Sequence, residues 1–261
     1  MGRRVIADAL VPIVLAPASS VVLVDFDGSL APIVDDPEAA APLPAARQAL
    51  AALVGRVGRV GVVSGRPAEF LRAALALDGV VLVGQYGLER VVDRRVVVDP
   101  RVERYRATVA TVAAEAERAL AGIRVERKGD VAVAIHWRQN PGRADEARHW
   151  ADGAASASGL ELHPGRMVAE LRPPIAVDKG SAVELLCAGM RVALFAGDDR
   201  GDLPAFDALD RLVAGGALDQ AVRVGVRSSE EPSEVIARAD LHVDGPEGLA
   251  HLLLDLATAI P

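Results

Sequence analysis

The sequence predicts an α/β protein with a doubly wound parallel-sheet core and an α+β domain inserted into it. Three patterns predict this architecture: valine-rich runs that end in polar or glycine-rich loops, alanine-rich helical segments between them, and a central stretch that alternates helix and hairpin patterns. Of the 261 residues, 51% are apolar and 3% aromatic, so the core must consist mainly of Val, Leu and Ala. Val-rich runs are typical of buried parallel strands and Ala-rich runs of helices.

The core elements alternate along the chain. Strands are predicted at 21–24, 60–63, 80–83 and 193–196, and helices at 45–54 and 67–77. Strands that alternate with helices across short loops are typical of a doubly wound sheet. Ligands of such sheets bind at the carboxyl ends of the strands, so we expect the functional residues in the loops that follow them.

The central stretch predicts a separate unit. Lys128-Gly129-Asp130 and Pro164-Gly165 are turn signals between strand patterns. Helices are predicted at 101–121 and 144–157, and strands at 123–127, 131–138, 160–163 and 167–172. The order αββαββ predicts an antiparallel sheet with helices on one face. We therefore expect a core domain at 1–98 and 176–261, and an inserted domain at 99–175.

Composition excludes several classes of function. The net charge is −7 and no dense Lys/Arg run occurs, which argues against a nucleic-acid partner. The single cysteine, Cys187, excludes an internal disulfide and a cysteine-based zinc cluster, and its apolar surroundings predict a buried side chain.

The sequence also bears on the compartment of the protein. Asp8 and two prolines interrupt the apolar run of 1–17, which we interpret as a docking helix or extension rather than a targeting segment. No run reaches transmembrane length without a charge. We expect a cytoplasmic monomer with no membrane partner.

The junction after the first strand, Asp25-Phe26-Asp27-Gly28-Ser29, is the most informative motif. Two carboxylates at positions i and i+2 repel each other unless a cation neutralises them. The motif therefore indicates a metal site, an acid/base role, or both. The alternative is an ordinary strand-to-turn junction, where Asp and Gly are common.

Three further polar clusters follow core strands or begin core helices. They are Ser64-Gly65-Arg66, Asp178-Lys179-Gly180 and Gly197-Asp198-Asp199-Arg200-Gly201-Asp202. Each has a simpler interpretation, because Ser64 could be a helix N-cap, Lys179 a solvated lysine, and the acidic cluster a solvated turn. The tripeptide 200–202 matches an adhesion motif, but it is short and no secretion signal accompanies it.

Together the four clusters fit phosphoryl transfer, which needs charge neutralisation, in-line placement and a nucleophile. Asp25 can attack phosphorus, and Asp27 can protonate the leaving alkoxide and then deprotonate water. Asp25 and Asp198 can hold a hard cation, for which Mg²⁺ is suited. The Ser64 hydroxyl can hold phosphate oxygens, and Lys179 supplies a positive charge.

The same clusters, in this order, resemble the haloacid-dehalogenase-like phosphatases. Further motifs are similar to the trehalose-6-phosphate phosphatase family: Leu30-Ala31-Pro32-Ile33-Val34, Gly84-Gln85-Tyr86-Gly87-Leu88-Glu89, Glu126-Arg127-Lys128, His136-Trp137-Arg138 and Glu170-Leu171-Arg172-Pro173. The resemblance implies a Rossmann-like core with a cap, and Mg²⁺-dependent hydrolysis of trehalose 6-phosphate, a disaccharide phosphate, through an aspartyl-phosphate.

The resemblance also implies residue roles. The catalytic residues are expected to be Asp25, Asp27 and Lys179. The metal ligands are expected among Asp25, Asp27, Asp198 and Asp199. Phosphate and substrate are expected to contact Ser64, Gly65, Arg66, Glu126, Lys128, His136, Arg138, Glu170 and Arg172. The residues of the inserted domain recur with period two, which predicts one shared face for sugar binding, although a solvated polar face would show the same pattern.

The chain departs from the family pattern at two positions, where Gly201 replaces Thr and Leu203 replaces Glu. These changes leave catalytic efficiency and the exact sugar open. The alternatives are a phosphatase for another glycosyl phosphate, a degenerate homologue that only binds the sugar phosphate, and a regulatory phospho-acceptor domain.

Overall fold

The structure, a computed structural model, describes residues 7–34, 36–165, 167–227 and 233–261. Residues 1–6, part of the predicted N-terminal extension, lie outside this range. The chain divides into two compact units: Met1–Val97 with Val177–Pro261, here called the core unit, and Val98–Ala176, here called the insert. Among the described residues, no helix is both long and apolar enough to cross a bilayer.

The described residues form strands at these positions: β1 Ser20–Val24, β2 Arg59–Val63, β3 Val80–Gly84, β4 Glu89–Val92, β5 Arg95–Val98, β6 Arg124–Lys128, β7 Ala132–His136, β8 Glu161–Gly165, β9 Val168–Arg172, β10 Val192–Gly197, β11 Gln220–Arg227 and β12 Leu241–Asp244. The α-helices are α1 Val11–Leu15, α2 Pro44–Leu53, α3 Ala68–Leu75, α4 Arg106–Ala119, α5 Ala144–Ser158, α6 Lys179–Cys187, α7 Leu203–Ala214, α8 Ser233–Arg238 and α9 Gly245–Ala259.

The core unit is built on an eight-stranded sheet with the order β12-β11-β10-β1-β2-β3-β4-β5. The strands from β12 to β3 pair in parallel, and β4 is antiparallel to β3. β1 is central, and all its side chains are buried because helices cover both faces of the sheet. The predicted doubly wound parallel sheet is therefore confirmed.

The side chains of β1 show how the two helical layers form. Val22 and Val24 pack with α2, α3 and α9, whereas Val21 and Leu23 pack with α6, α7 and α8 on the other face. Successive side chains of a strand point to opposite faces, so one run of apolar residues supplies both layers. This arrangement leaves the carboxyl end of β1 as the place where polar side chains follow.

The insert has the predicted order αββαββ, with α4 and α5 packed on a four-stranded antiparallel sheet in the order β6-β7-β9-β8. Three details differ from the prediction. Pro164 and Gly165, predicted as a turn, lie within β8 and pair with Ala169 and Val168. The helical stretch predicted at 101–121 begins with a 3₁₀ segment, Pro100–Tyr105, capped by the side chain of Asp99. Lys128, predicted in a turn, lies within β6 and pairs with Ala132, so the turn is tighter.

Candidate active site

The carboxyl ends of the two central strands bring the first acidic residues together. Asp25 follows β1 directly, and its backbone N–H donates to Ala196 O on β10 at 2.9 Å. Asp198 comes directly after Gly197, the last residue of β10. Because β1 and β10 are adjacent and parallel, both carboxylates lie at the same edge of the sheet.

A buried lysine joins this pair to a third carboxylate. Lys179 Nζ lies 2.7 Å from Asp25 Oδ1 and 2.6 Å from Asp202 Oδ1. Asp25, Lys179 and Asp198 are each 4% exposed, and Asp202 is fully buried. Lys179 is the first residue of α6, where a capping box between Asp178 and Ser181 fixes the helix start.

The electrostatics of this cluster follow from its burial. Burial raises the pKa of Asp25 well above its usual range, against the opposing charge of Lys179. Burial, and then the charge of Asp25, raise the pKa of Asp198 to about 10. Burial also raises the pKa of Asp202 to about 6, against Lys179. Burial lowers the pKa of Lys179, but the charges of Asp202 and Asp25 outweigh it and the net change is upward.

One lysine therefore faces three buried carboxylates, and the cluster is short of positive charge. One carboxylate oxygen from each of Asp25, Asp198 and Asp202 lies within 4.8 Å of the others, a spacing that can hold a metal ion. Hard oxygen donors suit Mg²⁺, which typically uses few carboxylates together with water and phosphate. The donor set thus fits the predicted cofactor class.

The predicted metal set of Asp25, Asp27, Asp198 and Asp199 differs from this cluster. Asp25 and Asp198 belong to it, whereas Asp27 and Asp199 are not among the grouped carboxylates of the described chain. The side chain of Asp199 instead caps the 3₁₀ turn Arg200–Asp202 and accepts from Gly201 N at 2.8 Å.

Asp202 takes a place that the sequence alone does not assign. Its Oδ2 accepts from the backbone N–H groups of Asp198 and Asp199, at 2.9 and 3.1 Å. Its Oδ1 accepts from Lys179 Nζ. Asp202 therefore holds both the loop and the lysine. The signal for this role is its position three residues after Asp199, the spacing of a capping box.

Two glycines let the carboxylates approach the backbone. Gly28 has φ +75°, and a Cβ there would overlap the carboxylate of Asp198. A Cβ at Gly197 would overlap the carboxylate of Asp202. Space therefore requires glycine at both positions, and the turn geometry requires it at Gly28 as well.

Asp27 and Arg66 form a two-point ion pair beside the cluster. Arg66 Nε donates to Asp27 Oδ2 at 2.7 Å, and Nη2 donates to Asp27 Oδ1 at 2.6 Å. Arg66 Nη1 donates to the carbonyl of Pro37 at 2.7 Å. The sequence predicts that Arg66 binds phosphate, but here each of its guanidinium nitrogens donates to a protein oxygen.

The loop that carries Ser64, Gly65 and Arg66 is held by the turn after β3. Ser64 is buried, and its Oγ accepts from Arg66 N at 3.2 Å. Gln85 N and Tyr86 N donate to the carbonyls of Arg66 and Ser64, at 2.9 and 3.0 Å.

Both residues of that turn have positive φ, 49° for Gln85 and 59° for Tyr86, which is uncommon for residues with a Cβ. A Cβ at Gly65 would come 2.5 Å from the Tyr86 ring, so glycine lets the aromatic ring lie on the loop. The sequence assigns Tyr86 no role, although the family motif contains it.

Glu89 supports the same loop from β4. It is 6% exposed, and its Oε2 accepts from the backbone N–H of Ala68, the first residue of α3, at 2.7 Å. Burial raises its pKa, against the hydrogen bond from Ala68. The sequence assigns Glu89 no role, because its partner lies on a different element.

In the insert, strand register gathers most of the predicted sugar-binding residues on one face. Glu126 lies opposite Ala134, which in turn lies opposite Glu170, and directly opposed residues share a face. The alternate positions, including Val133 and Ile135, face the helices. The face carries Glu126, Lys128, His136, Glu170 and Arg172. Arg138 is half-buried and follows the end of β7.

The polar side chains of this face are paired and largely buried. Lys128 Nζ lies 2.9 Å from Glu170 Oε2, and Arg172 Nε lies 3.9 Å from Glu170 Oε1. His136 Nε2 lies 2.7 Å from Glu126 Oε2. Glu170 is 6% exposed, and its Oε1 has no hydrogen-bond partner within the described residues. A buried carboxylate oxygen in this state favours a ligand over a solvated surface.

The chain belongs to the trehalose-phosphatase family: the family described as Trehalose-phosphatase matches residues 23–246. This membership confirms the predicted family. The chain is 31% identical to a trehalose-phosphate phosphatase of Mycolicibacterium paratuberculosis over 93% of its own length and 63% of that protein.

Two further comparisons extend the likeness. A Mycobacterium tuberculosis protein described as an uncharacterized glycosyl hydrolase is 35% identical over 72% of this chain and 15% of its own length. The chain thus spans less than two thirds of these relatives. The crystal structure of a trehalose-6-phosphate phosphatase related protein has a TM-score of 0.74 and 25% identity, and the match covers 91% of this chain and 97% of that one.

Proposed function

We propose that this chain is a Mg²⁺-dependent phosphatase that hydrolyses trehalose 6-phosphate to trehalose and phosphate through an aspartyl-phosphate. The observation that carries the proposal is a buried carboxylate, Asp25, held 2.7 Å from Lys179 beside Asp198, in a chain of the trehalose-phosphatase family. Lys179 and a bound cation would oppose the effect of burial and keep Asp25 ionised, and an ionised carboxylate is a competent nucleophile toward phosphorus.

In the first half-reaction a carboxylate oxygen of Asp25 attacks phosphorus. The new oxygen–phosphorus bond forms as the bond to the sugar oxygen breaks. Asp27, ionised in its two-point pair with Arg66, must take up a proton before this step; it then gives that proton to the leaving alkoxide, so trehalose departs neutral. Lys179, between Asp25 and Asp202, keeps the nucleophile oriented.

In the second half-reaction water attacks the phosphorus of the aspartyl-phosphate. The Asp27 carboxylate accepts a proton from this water, the acyl-phosphate bond breaks, and Asp25 and inorganic phosphate are released. Asp27 thus returns to its protonated form and the cycle closes. The buried Ser64 side chain and backbone N–H groups of its loop are assigned to the phosphate oxygens.

The residues that would hold Mg²⁺ are Asp25, Asp198 and Asp202, since one carboxylate oxygen of each lies within 4.8 Å of the other two. When bound, the ion would neutralise charge on the phosphate and on these carboxylates. The cluster itself has one buried cation against three buried carboxylates, and this shortage supports the assignment.

Sugar recognition is assigned to the polar face of the insert. Glu126, Lys128, His136, Glu170 and Arg172 offer donors and acceptors on a rigid sheet. A site that hydrogen-bonds its substrate discriminates strongly, because a smaller substrate leaves buried polar groups unpaired. Glu170 Oε1, which has no hydrogen-bond partner within the described residues, supports this assignment most directly.

The test is a phosphate-release assay with trehalose, sucrose, glucose and glycerol phosphates, in Mg²⁺ and in excess chelator. We expect multiple turnovers with trehalose 6-phosphate, none in chelator, and recovery when Mg²⁺ is restored. Asp25→Asn should remove turnover, because an amide cannot form the acyl-phosphate, while circular dichroism and thermal unfolding stay close to wild type.

Each arm of this assay has an outcome that would contradict the proposal. Asp25→Asn with more than a trace of activity would exclude the nucleophile, and full activity in chelator would exclude the metal. Binding of trehalose 6-phosphate without turnover would indicate a degenerate homologue. Preference for another sugar would indicate a phosphatase for a different glycosyl phosphate.

A further inference from the structure

The guanidinium group of Arg66 donates hydrogen bonds to other residues of the protein through all three of its nitrogens. Nε and Nη2 donate to the two carboxylate oxygens of Asp27 at 2.7 and 2.6 Å, and Nη1 donates to Pro37 O at 2.7 Å. Its guanidinium carbon also lies 4.8 Å from the ring centroid of Phe70. The Arg66 side chain is 13% exposed, so the guanidinium is sheltered from water, whereas the Asp27 side chain is 37% exposed.

These contacts join three segments of the site. Asp27 belongs to the loop after β1, Pro37 to a short 3₁₀ turn, and Phe70 to α3. The Arg66 backbone carbonyl also accepts from Gln85 N, in the strained turn after β3. A side chain fixed at so many points has little freedom to turn toward a phosphate. It does fix the plane of the Asp27 carboxyl.

We propose that Arg66 is a positioning residue for Asp27, the proton donor and acceptor of the reaction, and not a phosphate ligand. The inference rests on the proposed function, in which Asp27 protonates the leaving alkoxide. A planar guanidinium that holds both oxygens of a carboxyl sets its orientation in a way that a lysine cannot. Arg66 therefore acts on leaving-group departure and not on the affinity of the site for phosphate.

The chemistry of the leaving group separates the two roles. A sugar alkoxide must be protonated as it leaves, whereas p-nitrophenolate is stable as an anion and leaves without a proton. In both cases kcat/KM reports the steps up to release of the leaving group, before water attacks the aspartyl-phosphate. A residue that acts through Asp27 should affect kcat/KM for the sugar phosphate only.

We expect Arg66→Gln to lower kcat/KM for trehalose 6-phosphate by about 10- to 100-fold, part of the roughly 10²–10⁴ that general acid–base catalysis contributes. For p-nitrophenyl phosphate the change should stay within about threefold on the same reasoning. The inhibition constant of inorganic phosphate should be unchanged. Arg66→Lys should follow the same pattern, since it keeps the charge but loses the two-point contact.

A double-mutant cycle tests whether the effect passes through Asp27. Asp27→Asn should lower kcat/KM for the sugar phosphate by more than Arg66→Gln does. The double variant should be no worse than Asp27→Asn alone, within about twofold, because both changes remove one function. Arg72→Gln is the matched control: Arg72 lies on α3, is exposed and pairs with Glu69, so its activity should be that of wild type.

Equal losses on both substrates together with a weaker inhibition by phosphate would assign Arg66 to phosphate and overturn the proposal. Additive losses in the double variant would also overturn it. If Arg66→Gln fails to fold by circular dichroism, Arg66→Lys decides by the same criteria. If the wild-type protein hydrolyses glucose 6-phosphate but not trehalose 6-phosphate, the proposed substrate is refuted. The Arg66 test could then be carried out with glucose 6-phosphate.

Discussion

Gly28 shows how much a single residue can control in this site. Its φ of +75° is a conformation that residues with a Cβ rarely adopt, and a Cβ would overlap the Asp198 carboxylate. Asp198 is buried, so its carboxylate has little room to move away. The loop therefore depends on glycine for two separate reasons, backbone conformation and space.

Gly55 allows these reasons to be separated, because its φ is +78° but a Cβ added there would have no other atom within 4 Å. Gly55→Ala should cost about 1 kcal/mol of unfolding free energy from backbone strain alone and keep full activity. Gly28→Ala should carry the same strain and also displace Asp198. We expect its Mg²⁺-dependent phosphate release to fall at least about tenfold, by the sensitivity of catalysis to misplaced groups. Wild-type activity in Gly28→Ala would refute this account of the glycine.

At the scale of elements, α6 joins the site to the core of the sheet. It starts with the Asp178–Ser181 capping box, places Lys179 in the cluster, and ends at Cys187. Cys187 is 4% exposed and packs with residues of β1 and β10. Burial raises the pKa of the Cys187 thiol to about 12, against the opposing charge of Arg59.

This shift predicts an alkaline dependence of stability. The folded thiol holds its proton up to a higher pH than the unfolded thiol, whose pKa is near 9.0. The stabilisation is therefore complete below about pH 9 and is lost as the pH rises toward 12. Between pH 8 and 10.5, wild type should lose about 1–2 kcal/mol more unfolding free energy than Cys187→Ala, measured by urea unfolding. A difference between the two proteins that stays constant with pH would refute the prediction.

The same scale shows what the sequence could predict. The runs at β1 and β10 are apolar because helices cover both faces of the sheet, so their positions and the loops that carry Asp25 and Asp198 were predictable. The contacts within the loops were not. Asp202 reaches Lys179 only because a 3₁₀ turn folds the acidic segment back on itself. The pairing of Asp27 with Arg66 depends on where two loops of different strands meet.

At the scale of the whole molecule, two units carry different kinds of polar chemistry. In the core unit, buried carboxylates surround one lysine, an arrangement suited to phosphate and a metal ion. In the insert, Glu170 forms ion pairs with Lys128 and Arg172, and Glu126 pairs with His136. The period-two spacing predicted this shared face, because the spacing within a strand fixes which side chains point the same way. The burial of Glu170 was not predictable, since it depends on neighbouring strands.

Because the two units carry different polar groups, we expect that a substitution in the insert can remove the preference for the sugar and keep hydrolysis of a phosphate ester. Glu170→Ala should lower kcat/KM for trehalose 6-phosphate by about 100-fold, the order expected when a hydrogen-bonded site loses a partner. Hydrolysis of p-nitrophenyl phosphate, which has no sugar, should change within about tenfold. The matched control is Glu115→Ala: Glu115 is exposed on α4, which packs on the opposite face of the insert sheet, and its loss should leave both activities near wild type.

Removal of Glu170 also deprives the buried Lys128 of this ion-pair partner, which can destabilise the fold. Stability must therefore be measured together with activity. Thermal unfolding of the variant should show a folded insert at the assay temperature. With that established, equal losses on both substrates would mean that Glu170 is structural. A loss confined to the disaccharide phosphate would place the choice of sugar on the insert, because the residues proposed to bind phosphate lie in the core unit and would serve both substrates.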